Sequence, residues 1–143
     1  MGEQKVKTIE GEAVKTAPAA GKSKKAKRKA LRGRIYIYSS YNNTRIAVTD
    51  ADGEVLAWSS AGLVGFKGSR KSTPYAAQKA MEDLLVRTKT FEMKEADVFI
   101  RGIGSGRESA VRALQGSGMI ILSIKDLTPI PHGGVRAKKP RRV

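Results

Sequence analysis

The residues of this chain best suited to chemistry are cations set among glycines and hydroxyls, not catalytic pairs. The segment Gly65-Phe66-Lys67-Gly68-Ser69-Arg70-Lys71-Ser72 places three cations and two hydroxyls just ahead of Thr73-Pro74, which read as the cap and first residue of a helix. A helix N-terminus offers unpaired amide donors and the positive end of a dipole, so cations beside it favour an anion. A solvated basic loop is the simpler alternative. The segment is not a P-loop, because no GxxxxGK[ST] spacing occurs. A second candidate is Gly102-Ile103-Gly104-Ser105-Gly106, followed by Arg107, between a strand and a helix. Its glycine spacing fails the dinucleotide pattern, although Asp126 follows at about the distance of a ribose-binding acid. The doubly wound nucleotide fold also needs more strand–helix units than this chain supplies. Backbone amides and Arg107 suit an RNA phosphate better, and a tight turn without a ligand stays open.

Other chemistry finds little support. There are no cysteines and one histidine, His132, in a Pro/Gly-rich stretch. Disulfides and thiolate metal sites are excluded, in keeping with a reducing cytoplasm. Metal-dependent nucleases need clustered carboxylates, whereas Asp50 and Asp52 merely flank a turn. No cofactor is expected. The aromatics Tyr36, Tyr38, Trp58, Tyr75, Phe91 and Phe99 fall on strands and helices and read as core, while Tyr41 and Phe66 lie near loops where they can stack on bases.

The elements that position these groups follow from periodicity. Residues 34–41, 44–50 and 54–60 are β-branched, aromatic or alternating and read as strands. Asn42-Asn43, with access to positive φ, suits the first turn, and Asp52-Gly53 the second. A helix from Pro74 to about Thr90 carries an apolar stripe through Ala76, Ala77, Ala80, Met81, Leu84 and Leu85. A strand over 96–103, a helix over about 107–116 capped by Gly116 or Gly118, and a strand over 119–126 complete the order βββαβαβ. This is an α/β class with a single mixed five-stranded sheet.

Charge divides the chain into three parts. The protein has 143 residues and a formal net charge of +15. Residues 1–33 are Lys/Ala-rich with a net +7, and residues 128–143 carry +5 with no acid. The domain between them, 34–127, holds only +3. Both basic tails are too poor in apolar surface to fold alone and read as disordered or extended arms. An excess of this size attracts a polyanion, with nucleic acid the default partner. No apolar run reaches membrane-spanning length, and the N-terminus has neither a secretory h-region nor the acid-poor, Arg-rich character of a transit peptide.

Four segments carry a resemblance: SSYNNTRIAVTD (39–50), GLVGFKGSRKSTPYAAQKA (62–80), RGIGSGRESAVRAL (101–114) and DLTPIPHGGVRAKKPRRV (126–143). In order, they resemble the family of the universal eleventh protein of the small ribosomal subunit, in its bacterial branch. The resemblance implies a ribonuclease-H-like motif and no enzymatic activity. It implies a cytoplasmic ribosomal protein on the subunit platform that bridges ribosomal RNA helices and lines the cleft of the messenger's Shine–Dalgarno helix. Neighbours would be the seventh and eighteenth small-subunit proteins, with initiation factor three and messenger RNA nearby, and no homo-oligomer. By motif match, RNA contacts fall to Asn42, Asn43 and Thr44 at a polar hairpin tip, and to Lys67, Gly68, Ser69, Arg70, Lys71 and Ser72 in the basic loop. Arg101, Gly104, Gly106 and Arg107 serve in the glycine turn, and His132, Arg136, Lys138, Lys139, Arg141 and Arg142 in the C-terminal arm. Three features depart from the family: GIGSG replaces the usual GPGPG, Gly133-Gly134 replaces Asn-Gly, and the N-terminal extension is longer. Two rivals remain: a chromatin-like DNA-binding protein, which shares the charge, and a small nucleotide-binding or nuclease domain.

Overall fold

The computed structural model describes residues 29–139. The N-terminal extension up to residue 28, with its expected disorder, and the arm residues Arg141 and Arg142 lie outside that range.

Strand β1 (Arg32–Ser39) alternates buried Ile35 and Ile37 with Tyr36 and Tyr38 on the opposite face, as the two-residue period of a strand requires. It begins two residues before the predicted Arg34, because Arg32 and Gly33 already pair with Glu95 and Ala96. Antiparallel β2 (Thr44–Asp50) and β3 (Val55–Ser60) follow. The β2–β3 turn uses Gly53 at φ 92°, while the Asp50 carboxylate accepts from the Ala51 amide at 2.7 Å. The first turn differs from expectation. Neither asparagine takes positive φ. Instead the Ser40 hydroxyl accepts from the amides of Asn42 and Asn43, at 3.4 and 3.2 Å, so a side chain supplies what a left-handed backbone would have supplied.

Helix α1 (Pro74–Thr88) starts as the sequence indicates, with Thr73 Oγ1 accepting from the Ala76 amide and Pro74 at the first position. A 3₁₀ turn (Lys89–Phe91) prolongs it, and β4 (Glu95–Gly102), α2 (Gly106–Gln115) and β5 (Ile120–Asp126) complete the chain order. Gly116 ends α2 in the right-handed region, and the positive φ falls on Gly118. The sheet runs β3-β2-β1-β4-β5, with β1–β4 and β4–β5 parallel. It is the single mixed sheet of the βββαβαβ reading.

Both helices lie on one face. Ala77, Ala80, Met81 and Leu84 of α1 and Ala110 and Leu114 of α2 pack on Ile35, Ile37, Ile46, Val48, Val98 and Ile100. Each of the larger side chains contributes roughly 1.5–3 kcal/mol by leaving water. The other face has no helix, which corrects the assignment of the aromatics to the core: Trp58 is 56% exposed and Tyr38 47%. Every second strand residue must face that side, whatever its polarity.

Candidate nucleic-acid interface

Chain direction gathers the candidate segments at one end of the sheet. Strands β1, β3, β4 and β5 all finish at the end where β2 starts. The hairpin tip (40–43), the basic loop, the glycine turn and the start of the C-terminal arm therefore emerge side by side, although they are spread over about a hundred residues of sequence.

Short hydrogen bonds fix these segments to one another. Ser39 Oγ and Thr44 Oγ1 lie 3.2 Å apart, fully buried beneath the tip. The Gly104 amide donates to the Ser39 carbonyl at 3.0 Å, and the Ala61 amide to the Thr44 carbonyl at 3.0 Å. The backbone has no room for side chains here. A Cβ on Gly102, at φ 102°, would fall on the Ser39 carbonyl oxygen, and one on Gly106 would fall on Thr44 Oγ1. The Ser105 hydroxyl does not cap α2 but donates to the Ser72 carbonyl at 2.8 Å, tying the glycine turn to the basic loop. That loop contains a 3₁₀ turn (Gly68–Ser72), closed by Ser72 Oγ donating to the Ser69 carbonyl and Thr73 Oγ1 to the Arg70 carbonyl. Phe66 packs edge-on against Tyr75, at 5.9 Å between centroids.

The C-terminal arm leaves from a fixed point. The Leu127 amide donates to the Ile100 carbonyl at 2.8 Å, and the Gly102 amide to Thr128 Oγ1 at 3.1 Å. Thr128 in turn donates its hydroxyl and amide to Asp126 Oδ1, at 2.6 and 2.9 Å. These bonds, with the nearby Arg107 guanidinium, hold the Asp126 carboxyl below the ordinary carboxylate range. Beyond Pro131 the arm has no regular structure, and His132, Arg136, Lys138 and Lys139 are exposed.

The predicted residues divide into donors and braces. Asn42, Lys67, Gly68, Ser69, Arg70 and Arg101 are exposed, with Asn43, Lys71 and Ser72 half-buried. Lys67, Arg70, Lys71 and Arg101 enter no ion pair among the described residues. By contrast, Thr44, Gly104 and Gly106 are buried. Thr44 is a support under the tip, not part of its polar surface, and the two glycines serve by close approach. Arg107 folds inward: its guanidinium donates to the Gly102 carbonyl at 2.9 Å and pairs with Asp126. That clamp engages both groups on which the dinucleotide alternative depended. Asn43 Oδ1 is buried without a hydrogen-bonding partner. Sequence reasoning missed Arg45, exposed beside the tip; its signal was its place on the outward phase of TRIAVTD. Among the described residues no group of three or more His, Cys, Asp or Glu is gathered to hold a metal ion, and no helix is long and apolar enough to cross a membrane.

Comparison with known proteins gives a single direction. Residues 33–142 match the family model described as ribosomal protein S11. The small ribosomal subunit protein uS11 of Thermus thermophilus is 53% identical over 119 residues, covering 83% of this chain and 92% of the relative. That of Rhodopseudomonas palustris is 53% identical over 128 residues, covering 89% and 99%.

Proposed function

Because the chain belongs to the ribosomal protein S11 family, we propose that its loop end docks on small-subunit ribosomal RNA at the platform, bridges RNA helices there and lines the cleft of the Shine–Dalgarno helix. The broader role is that of the family: a structural, non-enzymatic constituent of the small subunit of the cytoplasmic ribosome, acting in translation. The observation that carries the finer reading is the convergence of the tip, basic loop, glycine turn and arm at one end of the sheet, with Lys67, Arg70, Lys71 and Arg101 in no ion pair among the described residues.

In this reading Lys67, Arg70, Lys71 and Arg101, with Arg136, Lys138, Lys139, Arg141 and Arg142 of the arm, neutralise phosphates and set the orientation. Asn42 and Asn43 reach unpaired bases or 2′-hydroxyls, and Ser69, Ser72 and His132 add polar contacts. Thr44, Gly104, Gly106 and Arg107 act through the backbone they hold in place. The seventh and eighteenth small-subunit proteins are the expected neighbours, with initiation factor three and messenger RNA close by, and the chain acts as a single copy.

Sedimentation of cell extract through a moderate-salt sucrose gradient tests this. The chain is expected to migrate with small subunits and whole ribosomes. The Arg70→Ala, Lys71→Ala double variant is expected to fall to the top of the gradient while retaining its fold by circular dichroism. Normal particles containing that variant would remove the loop from the interface.

A further inference from the structure

The sheet face without helices carries an arrangement of rings and cations of which the loop end shares only Arg45 and Arg101. Across the five strands one row reads Trp58, Ala47, Tyr36, Phe99, Lys125 in register. The adjacent row on the same face reads Ser60, Arg45, Tyr38, Arg101. Tyr36 and Phe99 stack on each other, with centroids 5.1 Å apart and planes 16° from parallel, and form a half-buried apolar floor. Tyr38 and Trp58 stand more than two-fifths exposed to either side. Leu127 and Pro129, where the arm leaves, close a cleft over Tyr38, Phe99 and Arg101.

Charge identifies the occupant. Arg34, Arg45, Arg101 and Lys125 of this face enter no ion pair among the described residues. Of its two acids on β4, Asp97 is held by Arg32 at 2.9 Å and by the Ser123 hydroxyl at 2.7 Å, and Glu95 lies in register with Arg32, at the end of the strand away from Arg101. A surface alternating exposed rings with unpaired guanidinium groups matches unpaired nucleotides, whose bases stack and whose phosphates repeat at every step. A protein partner would need a matching acidic patch for the same cations.

We propose that the uncovered sheet face is a second RNA surface, binding a short single-stranded segment by stacking bases on Tyr38 and Trp58 and pairing phosphates with Arg45 and Arg101. It rests on RNA being the partner of this chain, and it carries the surface beyond the loop end: Arg45 and Arg101 lie where the two meet, whereas Tyr38 and Trp58 belong to the open face alone.

Trp58 is the only tryptophan in the chain, so the full-length protein reports on its own face. Its fluorescence is followed while oligouridylate or oligoadenylate of about ten nucleotides is added, a length within the usual single-strand site size. Saturable quenching is expected. Tyr38→Ala should weaken binding on the order of tenfold. Arg45→Ala with Arg101→Ala should lower the log–log salt slope by roughly 1.4, as two lost single-strand phosphate contacts predict. Asp52→Asn, at the far end, should leave the titration unchanged. Absence of quenching, or quenching indifferent to both face variants, overturns the proposal. If such a protein still enters small subunits, the ribosomal reading stands and only the face is lost. A blue-shifted Trp58 emission in those particles would then assign the face to a protein neighbour.

Discussion

The two ends of the sheet handle charge in opposite ways. At the end holding the β2–β3 turn, acids and cations meet: Lys29 pairs with Glu92 at 3.0 Å and Arg32 with Asp97 at 2.9 Å. At the loop end Arg45, Lys67, Arg70, Lys71 and Arg101 have no such partner among the described residues, and the acids nearby are engaged: Asp126 by Arg107 and Thr128, and Glu108, in the first turn of α2, by Arg112 at 3.3 Å. Exposed ion pairs contribute only about 0–1 kcal/mol each, so stability does not explain the contrast. Pairing at one end suppresses attraction to polyanions. Leaving cations unpaired at the other tolerates mutual repulsion so that donors stay free for RNA. The loop end is also the more tightly braced, with buried Ser39 and Thr44 and glycines in backbone contact. Order without charge compensation is the mark of a docking surface.

The largest effect should come from breaking the brace. Gly102→Val meets both a left-handed backbone and the Ser39 carbonyl, so a loss of about 2–4 kcal/mol in urea unfolding is expected. An unchanged midpoint would mean that the glycine turn does not hold the tip. Truncation after Pro131 comes next. It spares the Thr128 anchor but removes five cations, and should flatten the log–log salt dependence of RNA binding by up to ~4.5 for duplex-like contacts or ~3.5 for single strands. An unaltered slope would take the arm out of the phosphate-binding surface. The smallest effect concerns acid. Asp126 is held below its ordinary range chiefly by the Thr128 hydroxyl, then by the Thr128 amide and Arg107. A depressed carboxylate contributes stability that is present above the unfolded value and lost as pH falls through the folded one. The thermal midpoint should therefore decline as pH drops below about 4, and Asp126→Asn should make that decline shallower in melts followed by circular dichroism. Equal acid sensitivity in the variant would show the clamp to be energetically idle.

Much of this was legible in the chain. Element order followed from hydrophobic period, and the start of α1 from Thr73-Pro74, because both are local. The convergence of the candidate segments was not local: it depends on β1 and β4 running parallel, a long-range pairing. For the same reason Thr44 read as exposed, since its hydroxyl is buried by Ser39 and the glycine turn. Arg107 read as a phosphate ligand, when Asp126, nineteen residues later, neutralises it. The aromatics misled differently. RIYIYS gives the alternation plainly, but not which phase the helices cover, and a tyrosine on the open face looks in sequence like one in the core.

The anchor at Thr128 has a mechanical consequence. With Leu127 and Thr128 bonded to the end of β4, the arm is a tether with a fixed origin. The fifteen residues 129–143 can sweep a radius of at most roughly 50–54 Å if fully extended. Once the loop end has landed, the arm searches only that volume, at a millimolar-scale effective concentration. Its cations then add to residence time more than to first encounter, and the arm acts as the latch of an already docked body.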